Sequence, residues 1–240
     1  MTEYAIVFLI SLFSHTSGGV INPEFIKTVQ ESPAFIRQDP SGKNHLLNGR
    51  IWRNEYSKTA GDQFFLSNSF LKGSITYDGQ RYNNLDLLYD ILNDELILKI
   101  ESYPIIIMNK EMVDSFTLLF ENRKYDIINS GNDTTNILRG YVNILYKGAS
   151  ELYVKYKKKI NPLAQDGIYD LFQEEHRIYL SSGAEILPVA GKRKFLNMLK
   201  DKKEEINQYI KSNKLKLVQK DPYTFVPVLK YYDSTRSDER

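Results

Sequence analysis

Residues 73–99, GSITYDGQRYNNLDLLYDILNDELILK, decide the fold. Asp78 and Gly79 separate two segments of strand-forming residues, and an Asp-Gly pair in this position is typical of the type I′ turn of a β-hairpin. After that turn the side chains alternate as they do along a strand, with Leu85, Leu87 and Tyr89 on one face and Asp86, Leu88 and Asp90 on the other. Asn93 and Asp94 then turn the chain into another strand-like segment. The stretch therefore predicts an antiparallel β-meander.

Strand-like segments continue on both sides of the meander, from about Leu46 to Val189. Residues 105–108 are almost continuously apolar, which predicts a strand that is buried on both faces. Residues 129–136, NSGNDTTN, predict a loop because they combine turn-forming residues with no apolar pattern. Together these segments predict one strongly curved antiparallel sheet or an open barrel.

The C-terminal part of the chain has helical periodicity instead. Residues 192–215 contain no glycine or proline, and their apolar residues recur at helical spacing, at Phe195, Leu196, Leu199, Ile206, Tyr209 and Ile210. Asp221 and Pro222 predict the start of a second short helix, which Pro227 weakens or kinks.

We therefore expect an α+β fold, a curved antiparallel sheet or open barrel with C-terminal helices packed on it. Residues 20–190 would form the β-rich part, with a short helix at residues 23–30. Residues 191–233 would form the helical segment, and residues 234–240 a disordered tail. An outer-membrane barrel is the competing architecture, but uneven short strands and a long charged C-terminal helix count against it.

The composition excludes several classes of function. Lys and Arg number 32 against 30 Asp and Glu, and this near balance argues against a general nucleic-acid-binding protein. The absence of cysteine excludes disulfides, thiolate metal sites and thiol nucleophiles. No spaced histidine pair, phosphate-binding glycine-rich loop or nucleophile elbow is present, so we expect no cofactor, no metal and no assignable catalytic residue.

The N-terminal residues predict export. Residues 5–13, AIVFLISLF, are apolar but too few to span a bilayer, which needs about 20 residues. Small residues follow, so we interpret residues 1–19 as a signal peptide, although only the α-amino group provides the usual positive charge. The alternative is an N-terminal core strand. An exported chain without cysteine is typical of a bacterial envelope protein, so we expect it in the periplasm, at the outer membrane or secreted, with no transmembrane span in the mature chain.

Four segments together resemble a known family: the stretch at residues 73–98, the apolar IIIMNKEMVDSF at residues 105–116, KKEEINQYIKSNKL at residues 202–215 and LKYYDS at residues 229–234. The chain resembles, over residues 48–234, a large family of uncharacterised exported proteins from bacteria of the Bacteroidota. The resemblance implies an envelope location and a β-rich body with a helical C-terminus. It implies no activity and no catalytic residue.

Two charged groups have both a functional and a structural interpretation. The acids Asp86, Asp90, Asp94 and Glu95 could act in glycoside hydrolysis or bind calcium, but we favour the solvated face and turns of the meander. Two basic clusters could contact phosphate head groups or polysaccharide, namely Lys155, Lys157, Lys158 and Lys159, and Lys192, Arg193, Lys194, Lys200, Lys202 and Lys203. For these we favour a solvated helix face and lysines that protect a sheet edge.

Aromatic residues could line a cleft for a sugar or lipid, and the candidate ligand-binding residues are Trp52, Phe64 and Tyr82. Such residues are more often simply part of the core. We expect a non-catalytic cell-envelope or secreted protein that binds a partner protein or an apolar ligand in the concavity of the sheet. The alternatives are a glycan-acting hydrolase that uses carboxylates and a structural component of a surface assembly.

Overall fold

The computed structural model describes residues 42–165, 169–182 and 185–237, which form an 11-stranded antiparallel sheet and three C-terminal helices. This confirms the predicted α+β fold with an open, curved sheet. The predicted signal peptide at residues 1–19 and the predicted short helix at residues 23–30 lie outside the described residues. Of the helices in the described part of the chain, none has the length and apolar character needed to cross a bilayer.

The strands are β1 (Gly49–Ile51), β2 (Leu71–Tyr77), β3 (Gln80–Asp90), β4 (Glu95–Lys99), β5 (Ile106–Met108), β6 (Val113–Phe120), β7 (Arg123–Asn129), β8 (Tyr141–Lys147), β9 (Ser150–Gln165), β10 (Tyr169–Ser182) and β11 (Glu185–Pro188). Their order across the sheet is β1-β5-β4-β3-β2-β6-β7-β8-β9-β10-β11. The helices are α1 (Lys192–Met198), α2 (Lys203–Ser212) and α3 (Val226–Ser237). Short 3-10 helices occur at Lys43–Leu47, Lys110–Met112, Lys200–Lys202 and Pro222–Phe225.

The meander follows the predicted turns. Asp78 and Gly79 both have positive φ, 50° and 72°, as a type I′ turn between β2 and β3 requires. The carboxylate of Asp114 accepts a hydrogen bond from the Gly79 amide at 2.8 Å, which holds this turn against β6. The next turn, residues 91–94, ends at Asp94 with a φ of 59° and leads into β4. Local turn chemistry therefore sets the register of the first half of the sheet.

The connection from β5 to β6 requires the sheet to curve. These strands are four steps apart in the sheet, which is about 19 Å if the sheet were flat. Only residues 109–112 connect them, and even fully extended this connection reaches about 17 Å. Three of the four residues form the 3-10 helix Lys110–Met112, which shortens the reach further. The end of β5 must therefore come close to the start of β6, and the sheet curls around its own inner face.

Aromatic rings fill the inner face of the curl. Phe65 packs against Tyr89, Tyr125 and Tyr156, with ring centroids 6.0, 5.5 and 4.4 Å away. Tyr89 and Tyr141 make an edge-to-face contact at 5.6 Å. Each such pair contributes about 0.5–1.5 kcal/mol beyond the area it buries. These contacts join residues from β3, β7, β8 and β9, so they stabilise the curved form of the sheet.

Strand β5 is buried on both faces, as predicted for residues 105–108. Ile107 packs on the outer side with Leu88 and Ile97, while Ile106 and Met108 belong to the inner core. Phe64 covers this outer cluster, and Trp52 packs against it. A strand without a solvated face loses the alternation of apolar and polar residues, which explains the continuous apolar run.

The helices pack on the other half of the sheet, as predicted. Side chains of β9 and β10 meet those of the three helices and the preceding 3-10 turn in one cluster that includes Leu152, Val154, Ile178, Leu180, Phe195, Ile206, Phe225 and Leu229. Pro227 lies in the first turn of α3, where a missing amide hydrogen is tolerated, so it does not break the helix. The prediction of a disordered tail from Ser234 is wrong as far as Ser237, because α3 includes these residues.

Asp233 fastens α3 to the β8–β9 hairpin. Its side chain is buried and accepts hydrogen bonds from the Tyr146 hydroxyl at 2.9 Å, the Ser150 amide at 2.9 Å and the Ser150 hydroxyl at 2.8 Å. Burial and the neighbouring Asp233 carboxylate raise the pKa of Tyr146 to about 12. One residue of α3 therefore accepts hydrogen bonds from three donors of the β8–β9 hairpin.

We expect Asp233→Ala to destabilise the protein by about 3 kcal/mol, because it leaves buried donors without an acceptor. Urea unfolding followed by circular dichroism measures the loss. The control is Asp86→Ala, which removes a half-exposed surface ion pair with Lys72 and should cost less than about 1 kcal/mol. Equal losses in the two variants would contradict this role of Asp233.

Candidate functional site

A cleft of about 600 Å³ lies between the β3–β4 turn, the β7–β8 loop and the β9–β10 hairpin. This volume is within the range of about 300–1,000 Å³ that is typical of small-molecule sites. Five cationic and two anionic side chains line it, namely Lys110, Arg139, Lys155, Lys157, Arg177, Asp94 and Glu175. We call it the basic cleft, since the cations exceed the acids by three charges.

The β9–β10 hairpin supplies one wall. Lys155 pairs with Arg177 across the two strands, and Lys157 pairs with Glu175. Because side chains two residues apart on a strand share a face, these four residues project to the same side. Directly opposed cations such as Lys155 and Arg177 destabilise a sheet unless something compensates their charge.

The placement of the β9 lysines corrects the sequence interpretation in part. We expected them to protect a sheet edge. β9 lies between β8 and β10, but β8 pairs only with residues 151–154, so the lysines follow the part of β9 that β8 covers. The side chains of Lys155 and Lys158 are only 10% and 12% exposed. Lys158 donates to the Asp62 carboxylate at 3.0 Å and to the Phe64 carbonyl at 2.7 Å, so it fastens the segment before β2 to β9. Lys157 and Lys159 are exposed, as expected.

Lys155 occupies the floor of the basic cleft. Its ammonium donates to the carbonyl oxygen of Arg139 and lies 3.8 Å from the Asp94 carboxylate. Burial lowers the pKa of Lys155, and the nearby cations Lys157, Lys110 and Arg139 lower it further, while Asp94 opposes the shift. The charge of Lys155 is therefore only partly compensated in the free protein.

Asp94 joins the walls of the cleft. Its carboxylate accepts hydrogen bonds from Lys110 Nζ at 2.6 Å, the Tyr89 hydroxyl at 2.7 Å and the Tyr141 amide at 3.3 Å. Lys110 Nζ also donates to the Asp94 carbonyl at 3.0 Å and lies 4.8 Å from the centroid of the Tyr141 ring. Burial and the Asp94 carboxylate raise the pKa of Tyr89 well above its ordinary value, so Tyr89 remains a donor.

The acids of the meander do not form a solvated face as a group. Asp86 does, since it is half-exposed and pairs with Lys72 at 2.8 Å. Asp90 is 2% exposed and accepts from the Leu92 and Asn93 amides, both at 2.9 Å, so it holds the β3–β4 turn. Burial raises the pKa of Asp90, and its hydrogen bonds within the turn oppose that shift.

Asp86 and Asp90 do not converge as a glycosidase pair either. Asp86 and Asp90 are four residues apart on β3, which is about 13 Å along the strand. The two carboxylates of a glycosidase lie about 5–10 Å apart on opposite sides of the bond they cleave. In residues 42–165, 169–182 and 185–237, no group of three or more histidines and acids is placed to hold a metal.

The β7–β8 loop is shaped by its own hydrogen bonds. The Gly140 amide donates to the Gly131 carbonyl at 2.7 Å, and Asn136 Nδ2 donates to the Ser130 carbonyl at 2.8 Å. Gly140 has a φ of 84°, and a Cβ there would lie 2.0 Å from an Asp94 carboxylate oxygen. Only glycine lets the loop approach Asp94 this closely.

Three cations of the cleft have no carboxylate partner within the described part of the chain. The carboxylate of Asp94 pairs with Lys110 and Lys155, and that of Glu175 lies 3.6 Å from Lys159, which is not among the residues that line the cleft. Among the residues that the structure describes, Arg139, Lys157 and Arg177 therefore lack a carboxylate within 4.0 Å. The cleft offers these three groups to a ligand.

The residues proposed from sequence to bind a ligand do not line one cavity. The ring centroids of Trp52 and Phe64 lie 6.2 Å apart, and Trp52 borders a small cavity of about 60 Å³. Tyr82 belongs to the inner core, and its hydroxyl donates to Gln80 Oε1 at 2.7 Å. A ligand-binding role for these residues stays a prediction.

Comparison with protein-family models, curated proteins and solved structures finds no match for this chain. The case for a function therefore depends on the geometry of the basic cleft.

We expect Gly140→Ala to destabilise the protein by at least about 2 kcal/mol more than Gly131→Ala. Both glycines have positive φ in the same loop, but a Cβ at Gly131 meets nothing within 4 Å. The difference between the two losses of stability therefore reports the clash of the new Cβ with Asp94, because the backbone strain at positive φ is common to both variants. Urea unfolding of the two variants measures it, and equal destabilisation would show that the close approach of the loop to Asp94 is unimportant.

Proposed function

We propose that the protein is a non-catalytic binding protein and that its ligand is a small anion held in the basic cleft. The observation that carries this proposal is a set of three cations on the walls of one cleft, Arg139, Lys157 and Arg177, for which residues 42–165, 169–182 and 185–237 supply no carboxylate partner. Solvated lysines and arginines on a convex surface are ordinary. Here the cations face a concave space large enough for a small molecule.

An anion would offset a cost that is built into the free protein. Lys155 and Arg177 are opposite each other on neighbouring strands, and Lys155 is also close to Lys110 and Arg139. Cations crowded into a partly water-excluded cleft repel one another more strongly than in bulk water. Ionised donors make shorter and stronger hydrogen bonds to an oxyanion than neutral donors do. The electric field in such a cleft also raises the rate at which anions enter.

The cleft favours an anionic ligand over the purely apolar ligand that the sequence suggested. Its apolar lining consists of side chains such as Ile91, Ile137 and Tyr179, which can contact the body of a ligand but do not enclose it. A carboxylate pair for hydrolysis is not formed by Asp86 and Asp90, which supports a binding role rather than catalysis.

The proposed location is the bacterial cell envelope or its surroundings. The support is the apolar segment of residues 5–13 with small residues behind it, which favours export. The resemblance of residues 48–234 to exported proteins of the Bacteroidota supports the same location. In this setting the protein would bind its anion outside the cytoplasm.

Thermal unfolding tests the proposal with a panel of anions at constant ionic strength. A ligand that binds only the folded state stabilises it by about 2.7 kcal/mol at 100 times its dissociation constant, so Tm should rise. We expect phosphate, sulfate, citrate or benzoate to raise the Tm beyond the value in sodium chloride. We expect the double variant Lys157→Gln/Arg177→Gln to lose most of this rise while folding normally without the anion, because it relieves repulsion.

The matched control is Lys194→Gln/Lys203→Gln, which removes the same charge from the exposed C-terminal basic cluster. It should keep the full response to anions. If no anion raises the Tm, or if the cleft variant and the control respond alike, the proposed function is wrong.

A further inference from the structure

The cations of the basic cleft form a compact group on one face of the β9–β10 hairpin. Lys155 and Arg177 are register partners, which places their Cβ atoms about 5 Å apart. Lys157 is two residues further along the same face, about 7 Å from Lys155 and about 7–8 Å diagonally from Arg177. These three residues therefore mark a triangle with sides of about 5–8 Å.

Arg139 adds a fourth cation from a different direction. Its carbonyl oxygen accepts a hydrogen bond from the Lys155 ammonium, so the β7–β8 loop lies directly against the triangle. Arg139 belongs to the cleft lining, as does Arg177. The donors therefore surround a small volume from the hairpin on one side and from the loop on the other.

We infer that the ligand carries a single tetrahedral oxyanion, a phosphate or sulfate ester, that these four side chains bind together. This inference rests on the proposed function. A planar carboxylate has one charge and two oxygens, which one arginine fork satisfies. A phosphate ester carries about two charges and three strong acceptor oxygens that point in different directions. Four cations in a cleft whose five cations exceed its two acids by three charges match the second group.

The remainder of the ester contacts the apolar side of the cleft. Ile137 precedes Arg139 in the same loop and has 44% of its surface exposed, and it belongs to the cleft lining. Tyr179 belongs to the same lining and is packed against Leu138 from the loop. A small apolar or planar group attached to the oxyanion would cover Ile137 while the oxyanion contacts the cations.

Calorimetry with four probes that share one benzene ring tests the inference at pH 7.5 and constant ionic strength. The probes are phenyl phosphate, phenyl sulfate, benzoate and benzene-1,4-dicarboxylate. We expect phenyl phosphate to bind at least about tenfold more tightly than benzoate, because it accepts additional charge-assisted hydrogen bonds. Phenyl sulfate should fall between them, since it has the tetrahedral shape but one charge. The dicarboxylate has the charge of the phosphate without its shape and should bind more weakly than phenyl phosphate.

Variants assign the binding to the four side chains. Arg177→Gln should weaken phenyl phosphate about tenfold, and Lys203→Gln should leave it unchanged. If benzoate or the dicarboxylate binds as tightly as phenyl phosphate, the inference is wrong and the proposed function stands. If none of the four probes binds, both are wrong.

A second arm separates two sources of the same chemistry. The measurement is whether vesicles of phosphatidic acid in phosphatidylcholine displace phenyl phosphate from the protein. Vesicles of phosphatidylcholine alone are the control. Displacement supports the inference with a lipid head group as the source. Retention of phenyl phosphate supports it with a soluble ester as the source.

Discussion

The carboxylate of Asp94 holds the basic cleft together. It accepts hydrogen bonds from Lys110, Tyr89 and the Tyr141 amide, and it lies 3.8 Å from Lys155. The β3–β4 turn, the 3-10 helix before β6, the start of β8 and the middle of β9 are therefore linked through one side chain. The Asp94 carboxylate pairs with two of the five cations that line the cleft, and the charge that it leaves uncompensated supports the proposal that the cleft binds an anion.

The curvature of the sheet brings these elements within reach of Asp94. β3 and β9 are five steps apart in the sheet order, which would be about 24 Å in a flat sheet. In the curled sheet the Lys158 amide donates to the Ile91 carbonyl at 3.0 Å, and the rings of Phe65 and Tyr156 fill the space between the strands. The short connection between β5 and β6 and this aromatic interior therefore position the site as well as stabilise the fold.

The sequence predicts the fold better than the site, and the reason is the range of the interactions. Turn chemistry at Asp78 and Gly79 and the period-two pattern are local, so the meander and the helical segment could be predicted. The role of Asp94 could not be predicted, because most of its contacts are distant in sequence. Lys110 lies next to Asp94 only because the sheet curls, and Gly140 belongs to the β7–β8 loop. The alternation in β9 shows that Lys155 and Leu152 face opposite sides of the sheet. It does not show that the helices cover the Leu152 side and that the β7–β8 loop lies over the Lys155 side. The available signal was the spacing Lys155-x-Lys157 followed by Glu175-x-Arg177, which places cations on one face once the two strands are paired.

Amide chemical-shift mapping during a titration with inorganic phosphate tests the central claim most directly, since it reports where the anion binds. The account predicts that the largest shifts fall on residues 92–94, 139–140, 155–157 and 175–177, the backbone of the three walls of the cleft. Shifts concentrated at residues 192–203, or no localised shifts at all, would contradict it.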